Sequence, residues 1–269
     1  MSKLVTFTAK NINSSNYTEF DATSYSEFKY GLAAHGLRFA AELFQVFETE
    51  LMDIETDYIV YSSPYQSIPT ATYSMAFEFY KLLKHRMSDF GKSVKFEKLF
   101  RDPTYTVDYG TLNKEERLKL IGNDVFSFVK APEPGYALIF LDDVKVTGSH
   151  EHVLRNSLKT FSIENDCILG YYAIVDADLP AHFEHEINER AIRGLESISS
   201  LMSKDDFTFN TRVIKRILIS PYQDFDHFLS VIGMEQLRQI HKLAHSNGYH
   251  EISDYKRNYS KLNEALNAL

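Results

Sequence analysis

The chain has 269 residues, of which 44% are hydrophobic and 25% are charged, the composition of a globular protein with a sizeable core. The formal net charge of −8 argues against a general nucleic-acid binder, whose surface is basic. The single cysteine, Cys167, leaves no internal disulfide and fits a reducing compartment. No run approaches the roughly 18 apolar residues of a membrane span, and the N-terminus lacks the features of a signal peptide. We therefore expect a cytoplasmic protein without nucleic-acid or membrane partners.

The first third of the chain predicts helices and strands in alternation. Residues 1–29 mix a short apolar opening with a polar stretch rich in Asn and Ser, which we interpret as a peripheral strand and loop. Apolar residues recur at helical spacing through residues 26–51. The run at 58–61 is typical of a short strand, and a turn that contains proline leads from it into a helix through Lys84.

A second strand and a polar insertion follow. Residues 93–99 alternate between apolar and polar side chains, as strands do. The charged stretch at about 101–123 comes next and includes a short helical pattern. This insertion immediately precedes the part of the sequence that carries the strongest functional signal.

Residues 136–150 contain that signal. The continuous apolar run at 137–141 has the length of a strand buried on both faces, as in a parallel sheet. Asp142 and Asp143 follow, where we expect the strand to stop. A Thr-Gly-Ser run at 147–149 then leads into a segment of helical periodicity. This order places the backbone amides of small residues at a helix N-terminus, which binds phosphate without a basic side chain.

The acid pair narrows the ligand further. Carboxylates repel phosphate, so Asp142 and Asp143 are better suited to another group on the same ligand. An ionised carboxylate only accepts hydrogen bonds, and the vicinal hydroxyls of a sugar supply two donors. A phosphate on one side of the turn and a diol on the other describe a ribose 5-phosphate. The alternative is an ordinary strand-to-turn junction that ends in polar residues.

The stretch resembles the phosphoribosyl-pyrophosphate (PRPP) signature of type I phosphoribosyltransferases, which has four apolar residues, two acidic, two apolar and then a phosphate loop containing Thr-Gly. The resemblance implies that Asp142 and Asp143 are the catalytic acids, which hold the 2- and 3-hydroxyls of ribose. It assigns the 5-phosphate to residues 146–150, called the phosphate loop below, with Lys145 beside them. The residues concerned are Lys145, Val146, Thr147, Gly148, Ser149 and His150.

Three residues of this stretch depart from the family pattern. Lys145 stands where the pattern is usually apolar, and His150 where Thr or Ser is usual. Val146 stands where Thr, Ala or Asp is common. Because valine cannot act as the carboxylate base that some purine-salvage members carry there, salvage of purine bases is less favoured.

The resemblance also implies sites elsewhere in the chain. The family cradles pyrophosphate in the loop after its first core strand, which here holds Ser62, Ser63 and Tyr65; an ordinary turn punctuated by proline is the alternative. The family closes a lid over PRPP, which here falls at about 101–123, with Arg101 and Tyr105 as contacts. Mg²⁺ is the expected cofactor and is held mainly by the ligand rather than by direct protein ligands. Members of the family often dimerise, so a homodimer is also expected.

The predicted order of elements gives the fold class. Another apolar run at 167–175 completes an alternation of strands and helices, which predicts an α/β protein with a parallel sheet and ligands at the carboxyl ends of its strands. We expect a peripheral segment at 1–29, a type I phosphoribosyltransferase core at 30–178 with helices on both faces, and a mostly helical extension or hood at 179–269. The extension resembles that of a bacterial group of phosphoribosyltransferase-like proteins associated with stress and tellurite-resistance gene clusters.

The expected function is transfer of a phosphoribosyl group from PRPP, with release of pyrophosphate, to an acceptor that the sequence does not identify. A PRPP- or nucleotide-binding regulatory protein without turnover is the alternative. A scaffold for a different phosphorylated sugar is a third reading. The His-rich stretch that begins at His182 could place metal ligands on one helical face, but it is more typical of a charged, solvated helix start.

Overall fold

A computed structural model describes residues 3–102, 125–180 and 182–267. The strands are β1 (Leu4–Ile12), β2 (Asp57–Tyr61), β3 (Val94–Glu97), β4 (Leu99–Asp102), β5 (Val125–Phe128), β6 (Tyr136–Lys145) and β7 (Cys167–Val175). The α-helices are α1 (Ala22–Lys29), α2 (Ala33–Glu50), α3 (Thr72–Ser88), α4 (Ser149–Thr160), α5 (Phe183–Asn188), α6 (Leu195–Met202), α7 (Thr211–Ile219), α8 (Tyr222–Val231), α9 (Met234–Ser246) and α10 (Ser253–Asn267). Short 3₁₀ turns span Tyr17–Glu19 and Tyr249–Glu251.

Five of the strands form a parallel sheet in the order β1-β7-β6-β2-β3. β4 and β5 pair antiparallel in a separate two-stranded sheet. Helices α2 and α3 pack on one face of the parallel sheet over a shared apolar cluster. Helix α4 packs on the other face over a second cluster. This arrangement confirms the predicted α/β fold, with helices on both faces of a parallel sheet.

The two central strands β2 and β6 mark the point where the chain changes direction. From β2 the chain passes through α3 to β3 at one edge, whereas from β6 it passes through α4 to β7 on the other side. In open α/β sheets, such a switch point leaves a crevice at the carboxyl ends of the two strands, and ligands bind there. The topology therefore identifies one end of β2 and β6 as the place to look for a site.

The N-terminal segment contributes an edge strand to the main sheet, and the predicted division at residue 29 stays a prediction. β1 lies parallel to β7 from Leu4 opposite Cys167 to Ile12 opposite Val175. Phe7 and Ile12 are buried in the same apolar cluster as α2 and α3. The strand itself was predicted, but its pairing with β7 was not, because an edge strand with one solvated side has only a weak apolar pattern.

β6 also differs from its prediction, since it does not stop before the acid pair. It continues through Asp142 and Asp143 to Lys145 and stays paired with β7 as far as Ile174. Its pairing with β2 ends earlier, at Phe140. The two acids therefore lie on a strand that projects past its neighbour, and this projection exposes them to the crevice.

The residues after β7 are mostly helical, and helices α6 to α10 surround an apolar cluster of their own. Tyr30, Leu32 and Ile68 from the first part of the chain belong to this same cluster. No described helix is both long enough and apolar enough to cross a membrane. The boundary predicted at residue 178 stays a prediction, although the change from strands to helices falls close to it.

Candidate functional site

A cavity of about 130 Å³ lies at the carboxyl ends of β2 and β6, in the crevice that the topology identifies. Its walls come from six parts of the chain. They are formed by residues 142–151, Ser63, Thr70, Thr72, Tyr171, Lys29, Glu184 and Arg212. Asp142, Asp143, Lys145 and the whole phosphate loop, all predicted as site residues, are thus brought to one cavity.

Asp142 presents its carboxylate to this cavity. Its Oδ1 accepts hydrogen bonds from Ser63 Oγ at 2.6 Å and from the backbone N–H of Asp143 at 3.0 Å. Its Oδ2 lies 3.2 Å from His150 Nδ1. Burial raises the pKa of Asp142, but the contacts with His150 and Ser63 outweigh burial and hold the pKa at about 2. The group is therefore an ionised acceptor at neutral pH, and its side chain remains 20% exposed.

Asp143 shares Thr72 with Asp142 but otherwise has partners of its own. Its Oδ2 pairs with the Lys29 ammonium and accepts a hydrogen bond from Thr72 Oγ1 at 3.2 Å. Its Oδ1 accepts the backbone N–H of Val144 at 2.7 Å. The Asp143 side chain is only 7% exposed. A carboxylate has about four acceptor positions; the two acids accept similar numbers of contacts, but Asp143 is the more buried and is paired with a lysine.

The end of α1 positions Lys29. The helix closes with a Schellman motif in which Gly31 N–H bonds Phe28 C=O at 3.1 Å and Leu32 N–H bonds Glu27 C=O at 3.0 Å. Gly31 has φ +103°, a conformation that glycine adopts without strain. Lys29 is the last helical residue before this turn, and its side chain extends from there to Asp143.

The phosphate loop ends in a helix N-terminus that is open to an anion. Gly148 precedes α4 with φ +72° and offers no side chain to cap the first amides. The hydroxyls of Thr147 and Ser149 lie 2.9 Å apart at the same turn. Unpaired amides and the helix dipole attract a negative group at this position. The sequence predicts a phosphate site at this turn, and that assignment stays a prediction.

Lys145 lies against the first turn of α4. Its Nζ pairs with Glu151 Oε2 at 2.6 Å, and Arg155 Nε donates to Glu151 Oε1 at 2.8 Å. Burial raises the pKa of Glu151, but Lys145 and Arg155 together lower it below its ordinary value. Two cations thus neutralise the acid nearest the phosphate loop, which lowers the repulsion that a bound phosphate would meet.

The loop between β2 and α3 contributes Ser63, Thr70 and Thr72 to the cavity. Thr70 Oγ1 is buried with no hydrogen-bond partner among the described residues, so a donor at the cavity wall is unused. Of the three loop residues predicted to cradle pyrophosphate, Ser63 lines the cavity, whereas Ser62 and Tyr65 are not among the described lining residues. Tyr65 instead packs its ring on Tyr73, at 5.7 Å between centroids.

The lid prediction is only partly within reach of the structure. Arg101 lies on β4 opposite Phe126 of β5 and does not line the described cavity. Tyr105 and the rest of the predicted lid from residue 103 lie outside the described residues. The contacts assigned to the lid therefore stay predictions.

The C-terminal helices reach the cavity through Arg212, near the start of α7, and Glu184 of α5. Asn210 caps α7 by accepting the Val213 N–H at 3.0 Å, and its amide donates to Lys29 C=O at 3.1 Å. Within the described ranges, no group of three or more His, Cys, Asp or Glu side chains is arranged to hold a metal ion. His182 pairs instead with Glu186 at 3.2 Å.

Eight residues of the described cavity wall were not predicted as site residues: Lys29, Thr70, Thr72, Val144, Glu151, Tyr171, Glu184 and Arg212. A glycine two residues after Lys29 is a helix-end signal, so the position of the lysine at the end of α1 could have been inferred. Its partner could not, because Lys29 and Asp143 are 114 positions apart. Only the folded chain brings these two residues together.

The structure is that of an α/β protein with a cavity at the switch point of its parallel sheet. The family described as PRTase ComF-like, where PRTase stands for phosphoribosyltransferase, matches residues 5–262, and the chain belongs to this family. No curated protein matches the chain. A solved structure described as an analysis of an invariant aspartic acid in HPRTs, asparagine mutant, aligns at 9% identity. The alignment covers 58% of this chain and 78% of the chain in that structure, with a TM-score of 0.29. The family match, along nearly the whole chain, confirms the resemblance to type I phosphoribosyltransferases.

Proposed function

We propose that the protein transfers the phosphoribosyl group of PRPP to a nucleophilic acceptor and releases pyrophosphate. One observation carries the proposal: an ionised acid, Asp142, and an uncapped helix N-terminus at Gly148 open into the same cavity. A sugar phosphate has a diol and a phosphate to match these two features. The family to which the chain belongs supports the same chemistry.

The phosphate loop binds the 5-phosphate. Amides at the start of α4 and the hydroxyls of Thr147 and Ser149 donate to its oxygens, and the helix dipole favours its charge. Because the binding groups belong to the backbone of a helix that packs on the sheet, they are held in place before the ligand arrives. The phosphate thereby fixes the position of the ribose ring relative to Asp142.

Asp142 accepts hydrogen bonds from the ribose hydroxyls and carries the charge that opposes the developing cation on the ring. Ser63 and His150 orient its carboxylate from two sides. Positive charge grows on the ribose as the bond to pyrophosphate breaks, and a negative group that is already oriented stabilises it without reorganisation. Asp143, held by Lys29 and Thr72, fixes the end of β6 next to it.

The oxygen donors of this cavity fit Mg²⁺, which prefers carboxylate, hydroxyl and phosphate ligands. Asp142, whose carboxylate lines the cavity, would hold the ion directly or through water, and PRPP would supply most of the other ligands. When bound, Mg²⁺ would neutralise part of the negative charge of the pyrophosphate.

The transfer itself exchanges one bond for another. The bond between the anomeric carbon and the pyrophosphate oxygen breaks, and its electron pair leaves with pyrophosphate. A lone pair on the acceptor forms the new bond, and the acceptor loses a proton to solvent. The protein's contribution is orientation and charge stabilisation, because the leaving group is already good.

Isothermal titration with PRPP and Mg²⁺, together with an assay for pyrophosphate release, tests the proposal. Asp142→Asn should weaken PRPP binding at least about 100-fold, since it removes charge-assisted hydrogen bonds worth roughly 1.5–3 kcal/mol each. Asp176→Asn is the matched control, because Asp176 follows the neighbouring strand β7 and does not line the described cavity.

Unchanged PRPP affinity in Asp142→Asn, or no PRPP binding by the wild-type protein, would contradict the proposal. Saturable PRPP binding without pyrophosphate release, across a panel of purine, pyrimidine, pyridine and amine acceptors, would favour a PRPP sensor without turnover. Tighter binding of ribose 5-phosphate than of PRPP would favour a scaffold for another phosphorylated sugar.

A further inference from the structure

Two basic side chains enter the cavity from outside the core sheet. Lys29 comes from the end of α1 and Arg212 from the start of α7. We call these two residues the basic edge. We propose that the basic edge binds the pyrophosphate group of PRPP, and that Asp143 is the residue that positions Lys29 for this role. The inference rests on the proposed function and deepens it, because it assigns the residues that meet the leaving group.

The two segments that carry the basic edge are joined by contacts close to Lys29 and Arg212. The side-chain amide of Asn210 donates to the carbonyl of Lys29 at 3.1 Å, two residues before Arg212. The guanidinium of Arg212 lies 5.9 Å from the ring centroid of Tyr30, the neighbour of Lys29. Tyr30 and Arg212 also share a partner, since both contact Glu189. The end of α1 and the start of α7 therefore form one connected unit beside the cavity.

Both cations are largely withdrawn from solvent. The Lys29 side chain is 14% exposed and the Arg212 side chain is 20% exposed. Cations in such surroundings interact more strongly with an anion than solvated ones do, because less water screens the charge. The Lys29 ammonium has three donors, and its pairing with Asp143 leaves donors for a ligand.

The loop after β2 explains why these cations are needed. Residues 62–70 contain no Lys or Arg, so the loop predicted to cradle pyrophosphate provides only neutral donors. Asp142 and Asp143 would repel the pyrophosphate across the same cavity. The contact between Lys29 and Asp143 cancels one of these charges, and Thr72, the first residue of α3, touches the same carboxylate. The basic edge thus lies beside the last residues of this loop.

The third lysine or arginine in the described cavity wall is assigned elsewhere. Lys145 pairs with Glu151 in the first turn of α4, where the 5-phosphate is proposed to bind. Two clusters of positive charge therefore serve two phosphate groups. Lys145 and the helix N-terminus serve the 5-phosphate, while Lys29 and Arg212 serve the pyrophosphate, whose growing charge they stabilise as it leaves.

Comparison of two ligands tests the assignment. The affinities of PRPP and of ribose 5-phosphate, each with Mg²⁺, are measured by isothermal titration for the wild type and for three variants. Lys29→Met should lower the affinity for PRPP about 30-fold, which corresponds to the loss of one charge-assisted hydrogen bond to phosphate. It should change the ribose 5-phosphate affinity less than about threefold, because that ligand has no pyrophosphate. Lys29→Arg should restore most of the loss.

Arg212→Gln should lower the affinity for PRPP about tenfold and leave the affinity for ribose 5-phosphate nearly unchanged. Arg216→Gln is the matched control. Arg216 lies one turn further along α7, pairs with the same Glu189 at 3.7 Å, and does not line the described cavity. It should leave both affinities unchanged. Equal losses in Arg212→Gln and Arg216→Gln would overturn the role of Arg212.

The outcomes separate this inference from the proposed function. If the wild type binds PRPP and Lys29→Met loses nothing, or loses both ligands equally, the basic edge is refuted while the proposed function stands. If the wild type does not bind PRPP, both fail. Should Lys29→Met not fold, Asp143→Asn is compared with the double variant Lys29→Met/Asp143→Asn, which has no unpaired acid. Asp143→Asn should keep a reduced preference for PRPP over ribose 5-phosphate, because Lys29 is present but has lost the partner that positions it, and the double variant should lose the preference; an equal preference in the two variants overturns the inference.

Discussion

The two sides of the cavity are built in different ways. Residues 142–151, on one side, are consecutive in sequence, and a strand end, a turn and a helix start hold them together. The basic edge, on the other side, combines Lys29 and Arg212, which lie far apart in the chain. The first kind of site leaves a pattern in the sequence because local geometry demands particular residues. The second kind leaves none, because its residues are selected by what they meet after folding.

The same difference decides what mutations do. A change in the phosphate loop acts on a short segment whose neighbours along the chain absorb it. A change at the basic edge acts where α1, the loop after β2 and the C-terminal helices contact one another. We therefore expect changes near Lys29 to affect the stability of the whole chain, and changes near Gly148 to affect mainly the affinity for phosphate.

Gly31→Ala should give the largest effect on stability. Gly31 has φ +103°, and a Cβ at this position would lie 2.4 Å from the carbonyl oxygen of Thr208. The backbone strain and the clash together should lower the free energy of unfolding by about 3 kcal/mol. Denaturant titration followed by circular dichroism measures this value.

Gly194→Ala is the control for that prediction, because a Cβ on Gly194 meets no atom within 4 Å. It should change the free energy of unfolding by less than about 1 kcal/mol. Similar effects of the two substitutions would show that the junction between Gly31 and Thr208 carries little of the stability, and the comparison between the two sides would lose its basis.

Lowering the pH should reveal how much the ionised carboxylate of Asp142 stabilises the fold. The pKa of Asp142 is lowered from 3.8 to about 2 in the folded protein. A carboxyl with a depressed folded pKa contributes stability above its unfolded pKa, and loses that contribution as pH falls through the folded value. Asp142 should therefore stabilise the fold fully above about pH 4 and lose about 2 kcal/mol of stabilisation by about pH 2. Unfolding of the wild type and of Asp142→Asn, measured between these two pH values, checks this.

The variant should show a shallower decline of stability with acid than the wild type. A parallel decline in the two proteins would mean that the contacts of Asp142 with His150 and Ser63 do not favour its ionised form.

Features that depend on residues close together in the sequence were predictable, and features that depend on contacts between distant segments were not. The parallel strand before Asp142, the turn at Gly148 and the helix that follows were all predictable, because hydrophobic runs and turn residues act over a few positions. The pairing of β1 with β7 was not, since an edge strand carries only a weak pattern. The continuation of β6 through both acids was also missed, because it depends on where the pairing with β2 ends.

Lys145→Met should affect both ligands alike. Lys145 is paired with Glu151 beside the phosphate loop, so its loss should weaken PRPP and ribose 5-phosphate by a similar factor of about ten. Isothermal titration with each ligand measures the two factors. This pattern contrasts with the selective loss expected for Lys29→Met, and a loss confined to PRPP would assign Lys145 to the pyrophosphate instead.

Gly148→Ala should give the smallest effect, although Gly148 shares a positive φ with Gly31. Its nearest neighbour for a new Cβ is Cε of Lys145 at 3.5 Å, an ordinary contact, so only the backbone strain remains. That strain is about 1 kcal/mol. If the loop keeps its conformation in the variant, the free energy of unfolding falls by this amount. If the loop relaxes to another conformation, the ligand must restore the original one on binding, and the ribose 5-phosphate affinity falls about fivefold instead. Denaturant titration and isothermal titration of the same variant distinguish these cases. Because Gly31 and Gly148 differ mainly in what surrounds them, the gap between their effects measures how much the packing between distant segments contributes beyond the local turn.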